Sequence, residues 1–179
     1  MRVLSLFAVM AVVSTATADD SKLKVKVGDA FPDAAVKATN IDQIKKEAKE
    51  VSIKDLKGKV VVIFFYPRAM TGGCTVESCG FRDLVKEFPE GSVILGASND
   101  TVEKNKEFND KEKLPYPLLC DTENKLIKDL GILATNGKAA QRLTFIIDKD
   151  GKIAKIYDKV SVKDHPKEVL AEVKTMLQK

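Results

Sequence analysis

The chain has 179 residues, 44% of them hydrophobic, with 30 basic and 26 acidic side chains and a net charge of +4. That length suits one compact domain and leaves no room for a second. The charges of both signs are interspersed, which excludes the concentrated basic stripe of a nucleic acid binder.

Residues 1–18, MRVLSLFAVMAVVSTATA, read as a targeting segment. Arg2 supplies a basic start, residues 4–13 form an apolar run, and Ala16-Thr17-Ala18 offers the small-x-small pattern at which a signal peptidase cuts. The run falls well short of the ~20 residues that span a bilayer as a helix. The expectation is therefore an exported protein, cut after Ala18 and with no membrane association afterwards. Its compartment would be the periplasm of a Gram-negative bacterium, or otherwise the secretory pathway or a plastid lumen. Residues 19–179 are then one domain.

Within that domain, Phe31-Pro32-Asp33 reads as a turn after a short strand, and residues 41–51 as a small helix or an inserted loop. The lysines and glutamates there form a solvated face. Residues 59–66, KVVVIFFY, are a continuous β-branched and aromatic run, the signature of a strand covered on both faces. Pro67 ends it. After the loop RAMTGG, Phe81, Leu84, Val85 and Phe88 recur at helical spacing until Pro89-Glu90-Gly91. Residues 92–98, SVILGAS, form a second buried strand, and Asp100 with Glu103 makes a capping-box-like start to the next helix, which carries Val102 and Phe108.

Leu118-Leu119 reads as a brief edge strand. Asp121 then caps a short helix through Leu126, Ile127 and Leu130, ended by Gly131. Residues 142–148, RLTFIID, pair with residues 152–158, KIAKIYD, across a turn containing Gly151. A last helix beginning near Pro166 gathers Val169, Leu170, Val173, Met176 and Leu177 on one face. The order βαβα followed by ββα predicts an α/β, thioredoxin-like fold, a mixed central sheet with helices on both faces.

Three cysteines, Cys74, Cys79 and Cys120, remain. An odd count implies at least one free or cycling thiol. Cys74 follows a buried strand and opens a helix, where unpaired N–H groups and the positive dipole end favour an anion such as a thiolate. Thr71, three residues earlier, can turn its hydroxyl toward the sulfur. Arg142, at the mouth of a later strand, is the best available cation for stabilising developing negative charge. In an intact helix Cys79 would lie about 7.5 Å along the axis and roughly 140° around it from Cys74. A disulfide needs Cα atoms ~4.4–6.8 Å apart, so a bond between the two demands local unwinding.

The motif Pro67-x-x-x-Thr71-x-x-Cys74, with Arg142 as its distant arginine, resembles the active-site pattern of the peroxiredoxins. The stretch FYPRAMTGGCTVESCGFRD is similar to the bacterioferritin comigratory protein branch, also called the Q type, over a span from about Val27 to the C-terminus. It departs from that branch at Gly72, where a proline commonly stands, and in a longer stretch near residues 40–53. The resemblance implies a thiol peroxidase acting on hydrogen peroxide and organic hydroperoxides, with Cys74 as peroxidatic thiol and Cys79 as resolving thiol. Thr71, Arg142 and Pro67 complete the implied catalytic set. It further implies an intramolecular disulfide, re-reduction by thioredoxin or a thioredoxin-like protein, a monomer, and neither cofactor nor metal.

Several residues carry plainer readings. Cys74 and Cys79 could form an inert structural bridge, against which the helical spacing argues. Thr71 could simply cap the helix, and Arg142 could be a surface ion-pairing residue. Cys120 reads as a buried, unreactive thiol, Glu77 as a structural contact to the helix start, and His165 as a capping or surface residue. Two other functions compete. An exported thiol-disulfide oxidoreductase would use C-x-x-C rather than two cysteines separated by four residues, and a copper carrier would need a nearby histidine.

Overall fold

The computed structural model describes residues 22–178. Among these residues six strands form one mixed sheet in the order β1-β4-β3-β2-β5-β6. They are β1 (Lys37–Ala38), β2 (Val60–Phe65), β3 (Ser92–Ser98), β4 (Leu118–Cys120), β5 (Leu143–Ile147) and β6 (Ile153–Tyr157). Among the described residues the α-helices are α1 (Gly72–Leu84), α2 (Val102–Glu112), α3 (Lys125–Leu130) and α4 (His165–Leu177). β2 pairs parallel with β3 and antiparallel with β5, which places it at the centre. All six of its residues are buried, so the unbroken apolar run of VVVIFF is a consequence of having a core on each face.

Alternation along β2 sorts the two cores. Val61, Ile63 and Phe65 face one cluster, shared with Leu95, Phe145 and, from α3, Leu126, Ile127 and Leu130. Val60, Val62 and Phe64 face the other, with Phe81 of α1, Phe108 of α2 and Val169 and Val173 of α4. Helices therefore cover both faces, as the thioredoxin-like expectation requires. α1 and α4 approach closely at Gly80, where a Cβ would fall 2.8 Å from Pro166 Cγ. Gly131 ends α3 in the left-handed region at φ 71°, a conformation glycine adopts without steric cost.

Four local expectations are corrected. β4 is not an edge strand, because the two-residue β1 pairs antiparallel on its outer side; so short a strand leaves no periodic signal. Asp100 does not cap α2: Thr101 occupies the cap, and its hydroxyl accepts from the Lys104 N–H. Among the described residues no strand precedes Phe31; Ala30 makes only an isolated bridge to Lys152. His165 is neither a surface residue nor a cap. It is fully buried, with its ring edge-on to Phe81 and Tyr157 and Nε2 bonded to the Thr144 hydroxyl at 2.8 Å. Residues 41–51 hold one short 3-10 turn, Ile41–Gln43, in an exposed loop closed by the Val36–Val51 bridge. The targeting segment lies outside the described residues.

Candidate active site

The site forms where β2 runs out. The Tyr66 N–H still donates to Ala97 of β3 at 2.9 Å, and Pro67, which has no N–H to give, takes the chain out of the sheet. The loop that follows is fastened from below. Its Ala69 N–H donates to Asp100 Oδ2 at 2.7 Å, and Asp100 is itself buried beside the Ser98 hydroxyl, 3.3 Å away. This anchor holds Met70 in the left-handed region, φ 61°, which a side chain adopts only when its surroundings enforce it. Thr71 then takes the N-cap position and α1 begins.

Cys74 is the third residue of α1 and is 2% exposed. Arg142, immediately before β5, donates from Nη2 to Cys74 Sγ at 3.1 Å. Its Nη1 donates to Glu77 Oε2, so one guanidinium joins the sulfur to a carboxylate one turn further along α1. Glu77 is fully buried. Burial pushes its carboxyl up to about 7, against the opposing pull of Arg142. A planar, permanently charged fork is the side chain able to serve both acceptors at once.

The structure brings Pro67, Thr71, Cys74 and Arg142 to one end of β2, as the motif implies. The Thr71 hydroxyl, however, donates to the Arg68 carbonyl at 3.0 Å and closes the loop rather than turning to the sulfur. Glu77 contacts Arg142 rather than the helix start. Cys79, half-buried in the next turn of α1, donates to Glu112 Oε2 at 3.6 Å, and all three cysteines are free. Cys120 is buried, accepts from Asn105 Nδ2 at 3.3 Å, and has its thiol pushed up by burial, in keeping with an unreactive role. Asp100 and Glu112 were missed as site residues. The signal available for Asp100 was an acid two residues past the end of a buried strand; Glu112 gave none. Among the described residues no group of three or more His, Cys, Asp or Glu could hold a metal ion, and no helix is long and apolar enough to cross a membrane.

The profile of the AhpC/TSA family matches residues 27–156. The chain belongs to that family, as a peroxiredoxin. It is 40% identical over 164 residues to peroxiredoxin Bcp of Bacillus subtilis, covering 88% of this chain and 100% of that one. Among solved structures, peroxidoxin BcpB of Mycobacterium tuberculosis superposes with a TM-score of 0.73 at 33% identity, covering 84% of this chain and 97% of that one. The bacterioferritin comigratory protein of Xanthomonas campestris, described for its alkyl peroxide reduction, gives 0.73 at 26% identity, covering 87% and 99%.

As a peroxiredoxin the chain is an oxidoreductase, a thiol peroxidase. The expectation of export is corrected here. The bacterial Bcp relatives are typically cytoplasmic proteins, and the apolar run behind that expectation is a compositional signal that no packing in residues 22–178 checks. The exported thiol-disulfide oxidoreductase is set aside with it.

Proposed function

We propose that this peroxiredoxin reduces hydrogen peroxide and organic hydroperoxides through Cys74, with Cys79 as the resolving thiol, in a single domain of residues 19–179 acting as a monomer. The observation that carries the reading is the Arg142 guanidinium 3.1 Å from a buried cysteine at the head of α1. The alkyl peroxide reduction described for the Xanthomonas campestris protein supports the same substrate class here.

Cys74 attacks the distal oxygen of the peroxide as thiolate, the O–O bond breaks, and the sulfur becomes a sulfenic acid while the other oxygen leaves as water or alcohol. Arg142 offers N–H donors where negative charge develops on the departing oxygen. Pro67 and Thr71 shape the loop that admits the peroxide. Cys79 then attacks the sulfenic acid to give a disulfide, and thioredoxin or a similar dithiol protein reduces it. Because the two cysteines lie five residues apart on one helix, the disulfide requires α1 to open locally.

Peroxide consumption by reduced protein tests the assignment. With a thioredoxin-like dithiol protein supplied as reductant, Cys74→Ser should abolish it, and Cys79→Ser should stop after about one equivalent of peroxide per chain while the wild type turns over. A Cys74→Ser protein that turns over at the wild-type rate would refute the reading.

A further inference from the structure

We propose that Glu112 stores the Cys79 thiol in its protonated form against the end of α2, so that this contact governs how long the sulfenic acid on Cys74 survives. The inference rests on the assignment of Cys79 as resolving thiol.

The middle of α1 is fastened to the α2–β4 side at three points. The Cys79 thiol donates to Glu112 Oε2 at 3.6 Å. Arg82 Nη1 donates to the Glu112 carbonyl at 2.8 Å. The buried Tyr116 hydroxyl donates to the Ser78 carbonyl at 2.6 Å. Two of these bonds engage the last residue of α2, where chain direction changes and the Lys113 backbone is left-handed at φ 52°. The contact thus sits on a fixed corner rather than on a mobile tip.

The groups facing the Cys79 sulfur are Arg82 and Asp83 of α1 and Glu112 of α2, with the Tyr116 hydroxyl close by. Burial pushes the thiol up, Arg82 pulls it back, and Glu112 pushes it up again. A carboxylate that accepts from S–H opposes ionisation of that sulfur, since a thiolate would face a like charge. Seated in α1, Cys79 is therefore a poor nucleophile. Once the helix opens it leaves Glu112 and can ionise in water.

The resolving step balances as follows in atoms and electrons. The Cys79 sulfur gives an electron pair to the Cys74 sulfur, the S–S bond forms, and the S–O bond of the sulfenic acid breaks. The hydroxyl leaves with the Cys79 proton as water. Cys79 is oxidised and the sulfenic sulfur is reduced. Any delay leaves the sulfenic acid open to a second peroxide, which would convert it to sulfinic acid. Glu112 is in this sense a positioning residue for resolution, and it sets the balance between turnover and inactivation.

Three measurements on the full chain test this. Peptide mapping of peroxide-treated wild type comes first: a partner other than Cys79 refutes the functional assignment itself, whatever Glu112 does. In the Cys74→Ser background, the pH midpoint for alkylation of the Cys79 peptide should fall by about half a unit to one unit in Glu112→Gln. It should rise in Arg82→Gln. In otherwise wild-type protein, Glu112→Gln and Glu112→Ala should both form the disulfide about two- to fivefold faster at pH 7, because Cys79 no longer gives up a carboxylate contact when α1 opens. Both should also accumulate less sulfinic acid under excess hydrogen peroxide. A Cys74–Cys79 disulfide that forms at an unchanged or slower rate in both variants, with the alkylation midpoint unmoved, overturns the role of Glu112 while leaving that of Cys79 intact.

Discussion

The Arg142 guanidinium donates to the Cys74 sulfur at 3.1 Å although 68 residues of chain separate the two. β2 and β5 make the meeting possible. They pair antiparallel with Phe65 opposite Leu143, so the exit of β2, which leads to Cys74, lies beside the entry of β5, which Arg142 precedes.

Arg142 serves two acceptors, and substitutions should separate them. Arg142→Met should lower kcat/KM for hydrogen peroxide by about a hundredfold, the scale seen when a donor to a developing oxyanion is removed. Above pH 7, where Glu77 is ionised, it should also destabilise the fold by roughly 3 kcal/mol, because that buried carboxylate loses its partner. Adding Glu77→Gln should recover most of that stability and none of the activity. Peroxide kinetics and urea unfolding on the single and double variants check both halves.

The Glu77 carboxyl, raised from 4.5 to about 7 by burial against the pull of Arg142, makes stability depend on pH. The folded protein holds this proton more tightly than the unfolded chain does. Its favourable contribution is complete below pH 4.5, fades as pH rises to 7, and is gone above it. Glu77→Gln carries no such proton, so its stability relative to wild type should rise between pH 5 and pH 8, by up to about 3 kcal/mol. Urea unfolding at the two pH values measures the difference, and a constant offset would contradict it.

His165 acts in the opposite sense. Burial, with Arg142 adding to it, lowers its pKa from 6.5 to about 4. The unfolded chain therefore takes up the proton first, and stability present above pH 6.5 is lost as pH falls toward 4. His165→Gln should show a shallower acid-side decline over that window. It should also be less stable at pH 7, since Gln replaces a ring wedged against Phe81 and Tyr157. Thermal melts from pH 4 to 7 follow both effects.

Asp100 should prove to hold the loop before Cys74. Asp100→Ala leaves the Ala69 N–H without its 2.7 Å partner and should cost about 1–3 kcal/mol, with a tenfold or greater loss in peroxide reactivity. Asp100→Asn keeps an acceptor oxygen in place and should restore most of the reactivity. Stopped-flow peroxide consumption distinguishes the two; equal losses would show that the negative charge rather than the acceptor matters.

What the sequence determined by itself was whatever follows from local periodicity and short spacing. VVVIFF could only be a strand covered on both faces, SVILGAS matched β3 residue for residue, and Pro67, Thr71 and Cys74 lie within one strand-loop-helix unit whose order fixes their proximity. Tertiary structure decided what long-range pairing brings together: Glu77 of α1 with Arg142 before β5, Asp100 with Ala69, Cys79 with Glu112, and His165 with Thr144. A carboxylate or an imidazole looks the same in the chain whether it will meet water or a buried guanidinium. Only the packing of α1, α2 and α4 over the sheet settled which of these groups lost their water, and with it which of them shape the chemistry of the two sulfurs.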